Sequence, residues 1–380
     1  MKIVHVITGL GTGGAENMLA NLVVGTDRSA FESLVVSLLP PGPLASRMAE
    51  AGVRVESLGM RRGVPGPRSL LRLTRLLRAE RPDVVQTWLY HADLLGLLAA
   101  GLARVGPVAW NLRCSDMDFA TTGRLTRWVV ALNARLSGRP AVVLANSARA
   151  VDVHRDLGYR PRRFEVIPNG FDTARFRPDI EARAALRGEL GIDPDAPVAG
   201  MIARYDPQKD FHTLLAALAL VRREHPGLRV VLCGDGVEPG NRALAGDVRD
   251  HGLEDAVLLL GRRADPERVH AALDVAVLSS AFGEGMPSVM GEAMACGVPC
   301  AATDVGDTAA VIGGTGRVVP PRDPDALARA VSGLLSLPAG QRLDLSRAAR
   351  ARIEEQYSLP GIIARYEGLY RGLAAEFGRM

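Results

Sequence analysis

Short runs of β-branched and other apolar residues alternate along the chain with stretches whose apolar positions recur roughly every three to four residues. KIVHVIT is followed by a helical pattern over residues 16–24, SLVVSLL by one over 43–51, VRVESL by one over 69–79, and DVVQTW by one over 92–102. Strands with helices between them at this spacing read as βαβ units and a parallel sheet. The pattern continues through PVAWNLR and AVVLANS to FEVIPNG and breaks at the turn-rich FDTARFRPD. It then restarts with PVAGMIARY, a helix over 213–224, LRVVLCGDG, AVLLLG, a helix over 265–272, DVAVLSS and VPCAATD. The expectation is an α/β chain with two doubly wound, Rossmann-like parallel-sheet domains, 1–169 and 170–357. The last segment, 358–380, is a helix with no strand after it and is expected to pack back on the first domain. Open sheets of this kind bind ligands outside the carboxyl ends of their strands, so two facing domains place the site in a central cleft.

A length of 380 residues with 47% apolar content supports packed cores and favours two domains at roughly 100 to 200 residues each. The most apolar stretch, Leu94 to Ala103, is bracketed by Asp93 and Arg104, too short for a membrane span of about 18 residues or more. The N-terminal apolar run passes straight into glycines and Glu16 without a small-residue cleavage pattern, so a cytoplasmic protein is expected. Cys114, Cys233, Cys296 and Cys300 form no CxxC pair and have no histidines at zinc-ligand spacing. Reduced thiols and no metal are the expectation. A net charge of +4 with 4% aromatic residues argues against nucleic acid and fits acidic substrates or an anionic membrane surface. Lysine stands only at Lys2 and Lys209, which singles out the second in an arginine-rich chain.

Gly9, Gly11 and Gly14 satisfy GxGxxG between a strand and a helix. A dinucleotide site also needs an acidic residue closing the second strand, and SLVVSLLP ends in Leu38, Leu39 and Pro40. What remains is a glycine loop whose backbone can approach a ligand at a helix N-terminus, with Glu16 just inside.

The second half carries FGEGMPSVMGEAMACGVPC, in which Glu284 and Glu292 stand eight positions apart. Pro287 fits the first position of a helix and Gly297 fits just beyond its end. The N-terminus of that helix, with Gly285, Met286, Pro287 and Ser288, is suited to a phosphate or diphosphate. Glu284 lies ahead of it and Glu292 lies about five residues, or some 7 to 8 Å, along it. Each carboxylate can accept two hydroxyl hydrogen bonds and so suits a sugar diol. Arg204 and Lys209, in AGMIARYDPQKDF on the loop leaving the first strand of this domain, supply cations for the same diphosphate. A diphosphate with a sugar at each end is a nucleotide sugar.

These residues resemble the retaining glycosyltransferases of family 4, also called group 1, which have the GT-B fold. GGAE at 13–16, NS at 146–147, VIPNGFDTARFRP at 166–178, Arg204 with Lys209, CGDG at 233–236, SSAFGEGMPSVMGEAMACGVPCAATDVGD at 279–307 and the late GRVVPPRDPDALARA fall in the family's order. The resemblance implies that Glu284 contacts the donor hexose, Glu292 holds the ribose, and Arg204 and Lys209 bind the diphosphate. It further implies that amides from Gly285 to Ser288 meet the phosphates, that the segment with Gly261 and Arg262 lies near the base, and that Gly14 approaches the phosphates from the other domain. No metal or other cofactor is implied. Relatives often carry a histidine after the strand equivalent to PVAWNLR; Arg113 stands in that region here, and His91 is the other candidate near the reacting sugar. Glu16, His91 and Arg113 are the acceptor-side candidates.

The expected activity is retaining transfer of a hexose or N-acetylhexosamine from a UDP-sugar to a glycan or lipid-linked acceptor, as in cell-surface polysaccharide or glycolipid synthesis. A UDP-sugar 2-epimerase and a non-catalytic nucleotide-sugar-binding protein are the alternatives. Arg68, Arg72, Arg75 and Arg78 recur at helical spacing beside leucines, and GRLTRWVVALNARLSGR is a second basic stretch. A basic amphipathic helix suits peripheral contact with an anionic membrane and a lipid-linked acceptor.

Overall fold

The computed structural model describes residues 1–11, 13–61, 66–114 and 123–377. The chain divides into two compact units, residues 1–170 with 359–380, and residues 171–358. The first unit contains β1 (Lys2–Ile7), α1 (Gly14–Gly25), β2 (Glu32–Ser37), α2 (Pro43–Glu50), β3 (Arg54–Ser57), α3 (Pro67–Glu80), β4 (Val84–Trp88), α4 (Tyr90–Ala103), β5 (Val108–Leu112), α5 (Arg124–Leu136), β6 (Val142–Ala145), α6 (Ala148–Asp156) and β7 (Phe164–Val166). The second contains α7 (Ile180–Glu189), β8 (Val198–Ile202), α8 (Phe211–Glu224), β9 (Arg229–Cys233), α9 (Arg242–Asp250), β10 (Val257–Leu259), α10 (Pro266–Ala272), β11 (Val275–Leu278), α11 (Ser288–Ala295), β12 (Cys300–Thr303), α12 (Thr308–Ile312), β13 (Arg317–Val319), α13 (Pro324–Leu335) and α14 (Ala339–Gln356). The chain then returns to the first unit as α15 (Leu359–Phe377).

Both sheets are parallel throughout. The strand order is β3-β2-β1-β4-β5-β6-β7 in the first and β10-β9-β8-β11-β12-β13 in the second. Each order reverses direction once, between β1 and β4 and between β8 and β11. Those reversals open the crevices in which doubly wound sheets take ligands.

Strands such as β4 (VVQTW) and β5 (VAWNL) are buried along their whole length, as strands covered by helices on both faces must be. In the first unit α15 supplies part of that cover. Ile362, Ile363, Tyr366, Leu369 and Tyr370 are buried in the same core as Ile3, Val84 and Trp88. The Tyr366 hydroxyl accepts from Asn111 Nδ2 at 3.1 Å, and the Tyr366 ring stacks on Trp88 at 6.1 Å between centroids. In the second unit Asp274, just ahead of β11, ties α7 to the strands of the switch point. Its carboxylate accepts from Arg183 at 2.6 Å, from Arg187 at 2.8 Å and from the Val198 N–H at 2.8 Å.

Five helices of the second unit (α7, α9, α12, α13 and α14) and β13 lie outside the elements that the apolar pattern predicts. The 18-residue α14 buries only Ala349 and Ile353, so it carries almost no amphipathic signal. β13 is a three-residue strand at the sheet edge with no fully buried residue. Among the described residues no helix is long and apolar enough to cross a membrane.

Candidate functional site

In the second unit the residues singled out by spacing converge on the switch point. β8 ends at Ile202, and the chain continues through Arg204 into a 3-10 turn, Pro207–Lys209, capped by the Asp206 carboxylate on the Gln208 N–H at 2.9 Å. β11 ends at Leu278, and Ser279 donates from Oγ to the Lys209 carbonyl at 2.7 Å while the Ala281 N–H donates to the Gln208 carbonyl at 2.9 Å. The two loops are thereby held together. Glu284, 7% exposed as a residue, accepts through its carboxylate from Ser280 Oγ at 2.5 Å and forms an ion pair with the Lys209 ammonium. Arg204 is more exposed; its guanidinium donates to Asp206 at 3.2 Å and to Gln208 Oε1 at 3.2 Å.

The helix expected from Pro287 begins one residue later, at Ser288, with Pro287 as its N-cap and without a side-chain cap. An extended Pro287 (ψ 99°) stands outside the helix, which runs to Ala295. Glu292 is the fifth helical residue, a quarter exposed at its side chain. Gly261 (φ 62°) accepts from the Gly234 N–H at 2.9 Å, and Arg262 lies 3.8 Å from Asp235, so this segment sits beside the CGDG loop.

The loop that carries Glu284 rests on Gly306. This residue has φ 63°, and a Cβ there would come within 2.1 Å of the Glu284 carbonyl oxygen. Gly306→Ala is therefore expected to lower thermal stability, since left-handed backbone costs an L-residue about 1–2 kcal/mol, and to lower turnover about tenfold by displacing Glu284. Unchanged melting and turnover would show that the loop absorbs the methyl group.

The pattern reading passes over His270. It is 1% exposed on α10, neither ring nitrogen has a hydrogen-bond partner among the described residues, and Nε2 lies 3.7 Å from Glu292 Oε2. A buried imidazole without partners is costly unless it finds one. His270 Nε2 thus faces the Glu292 carboxylate from beyond hydrogen-bond distance, and a closer approach would let it orient that group. His270→Phe is expected to raise the donor KM severalfold with kcat held, and His270→Gln to restore part of it; an equal loss in both variants would leave only a packing role.

In the first unit Glu16, His91 and Arg113 follow β1, β4 and β5, which are neighbours in the sheet. Glu16 folds back over the glycine loop, where a Cβ on Gly13 would meet its Oε2 at 2.5 Å. A Cβ on Gly14 would meet nothing within 4 Å, so the fold itself does not require glycine there. Ahead of His91, Leu89 holds φ 72° and ψ 152°, a region nearly reserved for glycine and a mark of backbone strain. Burial draws the His91 pKa down. Its neighbour Tyr90 is anchored through its hydroxyl to His154 Nε2 at 2.8 Å, and His154 Nδ1 is 2.6 Å from the Ala150 carbonyl. Arg113 donates to Asn169 Oδ1 at 2.8 Å and lies over the Trp88 ring at 5.2 Å, while its Nη1 is shut from solvent with no partner among the described residues. Burial lowers its pKa too, against the attraction of Tyr366 and Glu16.

Residues 12–175 match a family model described as Glycosyltransferase Family 4, and residues 196–337 match one described as Glycosyl transferases group 1. A UDP-Gal:alpha-D-GlcNAc-diphosphoundecaprenol alpha-1,3-galactosyltransferase of Escherichia coli is 31% identical over 63% of this chain and 62% of its own length. The match to a D-inositol 3-phosphate glycosyltransferase of Segniliparus rotundus, 31% identical over 56% of this chain, spans only 48% of that protein. A GDP-mannose-dependent alpha-(1-6)-phosphatidylinositol monomannoside mannosyltransferase of Mycolicibacterium smegmatis is 30% identical over 77% of each chain. Among solved structures, that of Anabaena Alr3699/HepE in complex with UDP-glucose superimposes with a TM-score of 0.82 at 24% identity, covering 98% of this chain and 100% of that one.

Proposed function

We propose, from the premise that the chain belongs to the glycosyltransferases of family 4 and group 1, that it transfers a hexose or N-acetylhexosamine from a UDP-sugar, with retention, to a glycan or lipid-linked acceptor. The observation that carries this reading is the buried Glu284–Lys209 pair at the second sheet's switch point, with α11 starting four residues beyond Glu284. A sugar diphosphate offers each partner a replacement: phosphate oxygens for the ammonium, hexose hydroxyls for the carboxylate. Arg204 adds the second cation, Glu292 takes the ribose, and the α11 N-terminus adds its dipole. Gly285, Met286, Pro287 and Ser288 line the phosphate path, and Gly261 with Arg262 flank the base. In this reading cations and helix dipole neutralise the leaving diphosphate without a resident metal, and the departing phosphate takes the acceptor proton.

On the acceptor side, Glu16, His91 and Arg113 are proposed to face the incoming hydroxyl. UDP is favoured as the nucleotide by the UDP-sugar named for the Escherichia coli relative and the UDP-glucose bound to the Anabaena protein. The diphosphoundecaprenol and phosphatidylinositol acceptors named for two relatives support a lipid-linked acceptor. The face of α3 that carries Arg68, Arg72, Arg75 and Arg78 is exposed and is proposed to meet an anionic membrane.

The test is melting and donor hydrolysis with UDP-, GDP- and ADP-sugars without added metal. A ligand at about 100 times its Kd stabilises the bound form by roughly 2.7 kcal/mol. The expected result is a shift with UDP-sugars and slow release of unchanged sugar. Epimerised sugar would move the reading to an epimerase, and binding without turnover on any acceptor to a non-catalytic binding protein.

A further inference from the structure

The first unit has a second opening, at the edge of its sheet opposite the strand ends that carry Glu16, His91 and Arg113. A cavity of about 480 Å³ lies at the start of β5, at Val108, and just ahead of β6, at Ala141. Its volume falls within the range of small-molecule sites, roughly 300–1,000 Å³. The C-terminal half of α4, the end of α5 and the end of α15 wall it. Leu98 (43% exposed), Leu102 (52%) and Phe377 (42%) all line it. Single exposed leucines call for no explanation, but three large apolar side chains converging on one cavity do.

The charged side chains that line it have one sign. Arg139 and Arg162 are its charged lining residues; both are exposed, neither is in an ion pair among the described residues, and no carboxylate lines the cavity. Arg78 of α3 donates to the Leu102 carbonyl at 2.9 Å, bringing a third guanidinium to the rim. Arg78 thus links the rim of the cavity to the basic face of α3. A free anion would satisfy the guanidinium groups and leave the apolar wall wet, whereas a neutral hydrocarbon would cover the wall and leave the cations without a counter-charge. An amphiphile with an anionic head answers both, because guanidinium grips phosphate bidentately.

We propose that this cavity binds an acyl chain of an anionic phospholipid, with the phosphate held by Arg139 and Arg162, and that it seats the first unit on the membrane at this edge. The proposal deepens the membrane reading of α3 and does not depend on the donor chemistry.

The test is calorimetric titration of the full chain at physiological salt with short-chain phosphatidylglycerol below its micelle concentration. The matching phosphatidylcholine and inorganic phosphate serve as comparators. The expected result is one-to-one binding of phosphatidylglycerol, at least about tenfold weaker binding of phosphatidylcholine, and none of phosphate. Arg139→Gln with Arg162→Gln, and separately Leu98→Gln with Leu102→Gln, are each expected to weaken phosphatidylglycerol at least about tenfold while donor hydrolysis stays unchanged. A phospholipid with a photoreactive acyl chain is expected to label residues 97–108 and 136–141. Equal binding of phosphatidylcholine would reduce the site to an apolar cavity, and equal binding of phosphate to an anion site. Loss of phosphatidylglycerol binding on Arg68→Gln, Arg72→Gln and Arg75→Gln, but not on the Arg139 and Arg162 changes, would move it to the α3 surface. Each of these outcomes overturns the proposal and leaves the transferase reading standing.

Discussion

Lys209→Ala is expected to lower kcat/KM for the sugar donor by about a hundredfold, roughly the 3 kcal/mol that one pre-organised charge contact supplies to a developing anion. The substitution removes two things at once. It takes away the proposed diphosphate cation, and it leaves Glu284, whose side chain is only 9% exposed, without its ion-pair partner. Breaking a buried pair from one side destabilises by about 3–5 kcal/mol, so a loss of activity in this variant alone is ambiguous. The double change Lys209→Ala with Glu284→Gln separates the effects. Removing both charges is expected to restore most of the melting temperature, while kcat/KM stays at or below that of the single variant. Arg204→Ala gives the control, since that side chain is 58% exposed and its loss is expected to leave melting unchanged while kcat/KM falls by a similar factor of about a hundred. Values within about twofold of the parent for both cations would remove the diphosphate assignment.

The fold was legible because strand and helix periods alternate and because the buried strands are continuous apolar runs. VVQTW and VAWNL read as strands from the chain alone and are buried throughout. Where burial is slight the signal vanishes, as in α14 and the short edge strand β13. At the site, spacing placed Glu284 and Glu292 about one helix, and two cations on one loop. It did not reveal that Lys209 and Glu284, 75 residues apart, are each other's partners, because a pair between loops leaves no periodic trace. Nor did it single out His270, whose relation to Glu292 depends on α10 lying beside α11. The strain at Leu89 is equally silent, since leucine is not a residue that announces a positive φ. Gly14 shows the opposite case: the glycine motif is plain, yet the fold leaves room there for a side chain.

The second large effect is expected at Glu284→Gln, and its diagnostic feature is a split between nucleotide and sugar. Glutamine keeps the shape but turns one of the two acceptor oxygens into a donor. It can no longer accept from two hexose hydroxyls as a charged group. Hydrogen bonds to a charged group are worth about 1.5–3 kcal/mol each, so two weakened contacts predict a fall in donor kcat/KM of about a hundredfold. UDP alone does not carry the hexose, and its affinity is expected to stay within about threefold of the parent. Thermal shift with UDP beside turnover of the UDP-sugar measures both quantities in one preparation. Melting falls under either reading, because the mostly buried Lys209 ammonium loses its charged partner. If Glu284 only braces the loop through Ser280 and Lys209, the variant would lose UDP affinity and turnover together, because α11 and the cations would all be displaced. A selective loss of sugar turnover with UDP binding intact has no such structural explanation, and it would place the Glu284 carboxylate on the transferred hexose.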